Sequence, residues 1–349
     1  MRHRLKYLAA SVLVVGLAAA GCSSSASNTG SNTASTGPTA SSGAASASGS
    51  VDLSNVTLNV GDQKGTGAEA ILKAAGLLNT LPFKVNWSDF TSGPTMVQAM
   101  STGAVDIGGV GDAPPVFAAA GGQDIAIVGA RKTAFDSDAI VVPKNSPIQS
   151  IAQLRGKKIG VSFGSSDDYH LLTVLAKNGL TTRDVTLVNL QPAPGLAAFT
   201  SGAIDAWDIW PPYVQQLTGQ YGGRVLVTGG TYGSPYSFEV ASKAALANSA
   251  KAAALKVYLE ALNKGYEWTA AHPAQWAAIW GQASGLPTSI MLPAAKASAT
   301  TPVPITNGIV TSEQNLVDQF YAAGLIPAKV NITQYITSQF NDTVTRPAA

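Results

Sequence analysis

The chain has 349 residues, 46% of them hydrophobic and 12% charged, with a formal net charge of +2 and a single cysteine. Charge this sparse leaves no Lys/Arg run able to neutralise a series of phosphates, so a nucleic-acid role is unsupported, and one cysteine excludes an internal disulfide. The length suffices for two lobes with separate cores.

Arg2, Arg4 and Lys6 precede the apolar run Leu8 to Ala20 and then Gly21-Cys22, the basic, apolar and small-residue order of an export signal. The run is too short to span a bilayer. Residues 1–21 are therefore read as a lipoprotein signal peptide and Cys22 as the lipidated N-terminus of the mature chain, although Ala19 replaces the Leu common three residues before such a cysteine. Loss of Arg2, Arg4 and Lys6 carries the net charge from +2 to −1, so the basic balance belongs to the signal. After Cys22, residues 23–50 are built from Ser, Ala, Thr, Gly and Asn with one Pro and no charge; they cannot bury a core, and 22–50 is expected to form a disordered tether of roughly 30 Å reach.

From Thr57 onward, short β-rich runs (57–60, 84–87, 105–110) alternate with helical stretches (68–78, 95–100), the rhythm of an α/β fold. The segment Pro94 to Asp106 is echoed by Pro194 to Asp205, with Gly103 matched by Gly202; each reads as helix, glycine stop, strand. Two similar lobes follow. After about residue 243 the pattern turns helical through 252–271, 274–282, 289–298 and 313–323, and these helices are expected around the first lobe.

In open α/β sheets ligands bind outside the carboxyl ends of the strands, so the loops Gln63 to Thr66 (with Gly65), Ser92 to Pro94 (with Gly93), Gly111 to Ala113, Gly164 to Asp167 and Trp207 to Trp210 are the candidate site. Gly65-Thr66-Gly67 and Gly164-Ser165-Ser166 precede helices, where backbone N–H groups and the helix dipole favour an anion; Ser165 or Ser166 can equally cap its helix. Asp112, ahead of Ala113-Pro114-Pro115, fits an N-cap and also a ligand contact. Alternation puts Asp208 and Trp210 on one strand face, a carboxylate and an aromatic plane able to hold a cation; core packing for Trp207 and a strand-end turn for Asp208 are the plainer alternatives.

Gly160-Val161-Ser162-Phe163-Gly164 matches the G-x-S-x-G string of hydrolases. It is placed within a strand, and neither His170 on the next helix nor His272 in the tail is a suitable base. The glycines at 65 and 67 with Asp89 partly meet a dinucleotide fingerprint, yet Asp62, Gln63 and Lys64 separate the strand from the first glycine. No catalytic set emerges.

Gly61 to Gly65, Phe90 to Pro94, Val105 to Gly108, Gly111 to Pro115 and Asn145 to Ile148 resemble, in order, the aliphatic-sulfonate-binding proteins, whereas Ser165 to Tyr169 and Val188 to Pro192 are closer to the taurine-binding branch. With Asp205 to Pro212, the resemblance covers about residues 57–240 and lies within the nitrate, sulfonate and thiamine-precursor receptors of ABC importers. It implies a type II periplasmic-binding fold with two hinge crossovers, near Asp138 to Val141 and Pro235 to Val240. Residues 51–139 with 237–349 would form one lobe and 140–236 the other. It also implies that Gln63, Ser92, Gly111, Ser165 and Ser166 ring the sulfonate oxygens, with Trp210 against the organic portion. Asp208 departs from the pattern, which tends to have a small residue there and an acid at Pro211; pairing with the amine of taurine, or exclusion of simple alkanesulfonates, would follow. The receptor would be a monomer that is not an enzyme and uses no cofactor or metal, and would partner an ABC permease and, through it, a cytoplasmic ATPase. It would be anchored by a lipid on Cys22 at the outer face of the cell membrane or in the periplasm. Nitrate, a thiamine pyrimidine precursor or another small acid are the rival ligands.

Overall fold

A computed structural model describes residues 51–63, 67–133 and 137–344. The signal, Cys22 and the tether, together with Gly65 and Thr66, lie outside the described residues.

Two mixed sheets organise the chain. The first contains β1 (Thr57–Gln63), β2 (Lys84–Phe90), β3 (Ile107–Val110) and β4 (Ile125–Thr133). The second contains β5 (Ala139–Val142), β6 (Lys158–Val161), β7 (Thr186–Asn189), β8 (Ala206–Ile209) and β9 (Arg224–Thr228). β10 (Tyr236–Ser242) and β11 (Thr300–Val303) return to the first, giving strand orders β11-β4-β10-β3-β1-β2 and β7-β6-β8-β5-β9. β1 runs parallel to β2 and β3 while β10 is antiparallel to β3; likewise β6 runs parallel to β7 and β8, and β5 is antiparallel to β8. Ala139, placed with the first lobe by sequence, pairs with Ile209 and Thr228 in the second sheet, and Tyr236, placed with the second, pairs with Lys132 in the first. Hydrophobic runs show where strands occur but not which sheet receives them. The two crossovers are joined at both ends, by Thr133 N–H donating to the Pro235 carbonyl and Gly229 N–H to the Asp138 carbonyl, each at 2.8 Å.

The helices are α1 (Ala68–Ala74), α2 (Gly93–Ser101), α3 (Ala113–Ala120), α4 (Ser166–Lys177), α5 (Pro192–Thr200), α6 (Tyr213–Gln220), α7 (Lys243–Ala247), α8 (Ser249–Ala271), α9 (Pro273–Ser284), α10 (Thr288–Ala297) and α11 (Asn307–Ala322). The repeat seen in sequence is structural. Both α2 and α5 stop just before a left-handed glycine, Gly103 at φ 76° and Gly202 at φ 73°, a conformation that a Cβ would disfavour. The aspartate after each then ties the incoming strand to its neighbour: Asp106 Oδ2 accepts from Asn59 N–H at 2.9 Å, and Asp205 Oδ2 from Lys158 N–H at 2.8 Å. Lys251 of α8 adds an ion pair to Asp106 at 2.8 Å.

Leu58, Val60 and Ile107 bury the first sheet against Leu255, Tyr258 and Leu262 of α8. Ile140, Ile159 and Val161 pack on Leu171, Val174 and Leu175 of α4. The C-terminal helices reach further than the first lobe. α10 packs on α6, and α11 completes an apolar cluster in which Phe320 lies 4.8 Å from Phe117 of α3 and 5.7 Å from Tyr169 of α4, ring to ring.

Candidate functional site

Between the sheets lies a cleft of about 220 Å³. Gln63, Gly93 and Gly111 line it from the first lobe and Ser165, Ser166 and Trp210 from the second. These six sequence-predicted residues share one space because parallel strands deliver their following loops to the same sheet edge. The lobes meet there. A Cβ on Gly111 would come within 3.0 Å of the Ser166 Cβ, and Thr91 Oγ1 donates to Gln191 Oε1 across the divide at 2.8 Å.

The other predicted residues within the described part do not line the cleft. Ser92 is fully buried and its hydroxyl has no partner among the described residues. Asp112 accepts from Ala113 N–H at 2.8 Å as the N-cap of α3. Asp167 receives Ser162 N–H and the Ser165 hydroxyl, serving the turn into α4. Trp207 is wholly buried in the second-lobe core, 5.9 Å from Tyr213 and 6.5 Å from Phe199 ring to ring. Asp208 is wholly buried too, with both carboxylate oxygens within 2.9 Å of His170 Nδ1. Asp208 therefore does not receive a ligand amine: its charge is already matched by His170. The whole of β8 is buried because it is a central strand with helices packed on its two faces, Ala206 and Asp208 towards α4 and Trp207 and Ile209 towards α5.

The helix starts are also less vacant than glycine-rich loops suggested. At α1 the carboxylate of Asp62 accepts from Gln63, Ala68 and Glu69 N–H at 2.8, 2.9 and 2.9 Å. It stands where a Cβ on Gly67 would be, so that glycine makes room for an internal anion. At α4, Asp168 accepts from Gly164 N–H at 2.9 Å. Burial pushes the Asp62 and Asp168 carboxyls up to about 6.

Arg131 on β4 is the cation at the cleft wall among the described lining residues. Its guanidinium donates to Glu239 and, at 2.6 Å, to the Tyr266 hydroxyl, and lies 4.5 Å from the Tyr266 ring centroid. Its Nε–H and one Glu239 oxygen have no partner among the described residues. Asp138, at the first crossover, also lines the cleft; burial lifts its carboxyl to about 6 while His170 opposes the rise. Against the burial that would depress it, His170 is lifted to about 9 by the charge and hydrogen bond of Asp208. Arg131, Asp62, Asp138 and Tyr266 were not among the candidate residues, because each reaches the cleft through the fold rather than through a loop motif of its own.

Ser162 lies just past β6 and is fully buried, its hydroxyl accepting from Gln191 Nε2 at 3.1 Å. With His170 engaged by Asp208, no histidine among the described residues hydrogen-bonds it, and the G-x-S-x-G string serves the turn into α4.

The NMT1/THI5-like family matches residues 88–276. The putative aliphatic sulfonates-binding protein of Escherichia coli is 32% identical over 290 residues, 82% of this chain and 90% of that protein. The taurine-binding periplasmic protein of the same organism is 36% identical over 154 residues, 43% of this chain and 47% of its own length. Among solved structures, the alkanesulfonate-binding protein from Xanthomonas axonopodis pv. citri bound to MOPS superposes with a TM-score of 0.76 at 32% identity, covering 80% of this chain and 98% of that one. Two crossover-linked mixed sheets, a cleft at their strand ends and these relatives agree on a non-catalytic, exported receptor with the type II periplasmic-binding architecture. The chain thus belongs to the NMT1/THI5-like family, as the extracytoplasmic solute-binding component of an ABC import system.

Proposed function

We propose that the captured solute is a small organic anion carrying a single permanent negative charge, an organic sulfonate, taurine included, held between the lobes and delivered to an ABC permease and its ATPase. The observation that carries this reading is the placement of Gln63, Gly93 and Gly111 opposite Ser165, Ser166 and Trp210, with Arg131 on the same wall. A sulfonate does not escape burial by protonating, so hydroxyl, amide and guanidinium donors hold it in its charged form. The names of the relatives support the ligand class. Binding draws the two lobes together by favouring the closed form. We further propose that residues 1–21 direct export and that a lipid on Cys22 anchors a monomeric receptor through the 22–50 tether.

Thermal-shift titration of the purified chain with sulfonates, nitrate, thiamine precursors and amino acids tests the ligand. A ligand at 100 times its Kd adds about 2.7 kcal/mol of stability. Stabilisation by nitrate or a thiamine precursor with none by any sulfonate would reassign the solute. Metabolic labelling with a fatty acid tests the anchor, and label that persists in Cys22→Ala would remove it.

A further inference from the structure

Asp138 stands at the first crossover and lines the cleft. Gly229 N–H holds its backbone carbonyl at 2.8 Å, and its carboxyl accepts from the Ser137 hydroxyl at 3.3 Å. The same carboxyl is hydrogen-bonded to the Ser166 hydroxyl. Ser166 opens α4 and lines the cleft from the second lobe, where its Oγ would lie 3.2 Å from a Cβ on Gly111 of the first. One hydroxyl therefore has two claimants: the hinge carboxyl behind it and any anion in the cleft before it.

A serine hydroxyl has a single proton to donate. An ionised Asp138 only accepts, so the Ser166 O–H points at it and turns lone pairs to the cleft. An arriving anion then meets an acceptor beside a second negative charge. Once Asp138 carries a proton, its own O–H donates to Ser166 Oγ, and the serine proton is free for the guest. The bond between the two residues persists; its direction reverses.

The described groups around Asp138 leave it able to make this change. His170 of α4 faces it as a cation, held so by Asp208 of β8. Asp112 at the start of α3 and Asp167 of α4 are pushed well above the carboxylate range by burial and stay neutral. On the cleft wall, Arg131 of β4 is engaged by Glu239 and Tyr266, and Asp62 of β1 accepts three N–H donors that favour its charged form. Burial raises Asp138 to about 6, and a like charge beside it disfavours its ionised form further.

Resting on the sulfonate reading of the guest, we propose that Asp138 and Ser166 form a proton-linked donor switch: capture of a permanently charged anion draws one proton from solvent onto Asp138 and turns the Ser166 hydroxyl from the hinge to the guest. Asp138 is thus a positioning residue that acts on the guest through Ser166, and affinity follows pH.

Titration calorimetry of the full chain with ethanesulfonate at pH 6, 7 and 8, each in two buffers of different ionisation enthalpy and neither a sulfonate, counts the protons. Wild type should take up about half a proton or more per anion at pH 7 and bind about tenfold more tightly at pH 6 than at pH 8. Asp138→Asn, whose amide N–H donates to Ser166 as the protonated acid does, should take up no proton and keep the pH 6 affinity at pH 8. Ser166→Ala should bind more weakly at pH 6 and flatten the profile. Uptake that persists in Asp138→Asn, or a wild-type affinity that is level from pH 6 to pH 8, overturns the switch. So does a profile unchanged by Ser166→Ala, which leaves only direct repulsion by Asp138. Nitrate, equally permanent in charge, separates the two readings. Proton-linked binding of nitrate without binding of ethanesulfonate overturns the sulfonate reading and keeps the switch; binding of neither overturns both.

Discussion

Acidification from pH 8 to pH 5 should stabilise this protein. Asp62, Asp138 and Asp168 are lifted by burial from 3.8 to about 6, and His170 from 6.5 to about 9. A carboxyl with a raised folded pKa binds its proton more readily in the native state, so its contribution grows as pH falls from about 6 towards 4 and is lost on the way up. His170, raised in the folded state, contributes fully below 6.5 and loses that contribution as pH climbs through 9. The two kinds of group act in the same direction. Between pH 8 and 5 each carboxyl yields about 1.4 kcal/mol and His170 about 2 kcal/mol, an upper limit of roughly 6 kcal/mol for independent groups. Asp138 shares its field with His170 and Asp208, so about half of that is expected, which corresponds to a Tm on the order of 5 °C higher at pH 5 for a domain of this size. Asp184 and Asp318, held low by hydrogen bonds, act only below about pH 4 and do not interfere. Calorimetric scans of the ligand-free chain at half-unit steps give the profile directly, with Asp138→Asn as control, raising Tm at pH 8 and not at pH 5. A Tm that is flat, or that falls towards pH 5, refutes the assignment of these groups.

Replacing His170 by Ala leaves the Asp208 carboxylate buried and unmatched, and should cost about 3–5 kcal/mol in urea unfolding; His170→Phe with Asp208→Leu should recover most of it. Asp62→Ala removes an acceptor from two amides at the start of α1 and from Gln63 N–H at the end of β1, and should cost about 1–2 kcal/mol of stability, whereas an unchanged urea midpoint would show that α1 needs no such cap. Gly111→Val pushes its side chain into Ser166 of the opposite lobe and should weaken ligand binding about tenfold with little change in ligand-free Tm, since the clash grows only on closure; an unchanged Kd would mean that the lobes do not approach at this point. Gly195→Ala sets a Cβ 2.6 Å from the Trp207 ring and should destabilise the second lobe by about 1–3 kcal/mol on denaturant unfolding.

Much of the frame was legible because it repeats. Gly103 and Gly202, each followed by Ala and then an aspartate two residues later, mark a helix stop and a strand-tying carboxylate that local chemistry requires, and both copies do the same work. The loops after the parallel strands were legible for the same reason, and Gln63, Gly111, Ser166 and Trp210 could be named from their position alone. Less legible was what satisfies a polar group. The string around Gly65 and Gly67 looks like a vacant anion cradle until Asp62, adjacent in sequence, is seen folding back into it. Asp208 looks like a free carboxylate until His170, 38 residues away, is found at 2.8 Å. Tertiary partners of this kind leave no periodicity behind. The reach of the tail was hidden likewise, since helical spacing in α10 and α11 specifies an apolar face without saying which body receives it.

Phe320 gives that tail a thermodynamic role. Its ring touches Phe117 from one half of the molecule and Tyr169 from the other, so any widening of the cleft must peel aromatic surface into water. Loading and release should accordingly carry a heat-capacity change larger than the guest alone can account for, and the affinity of the receptor should bend with temperature through residues that never meet its cargo.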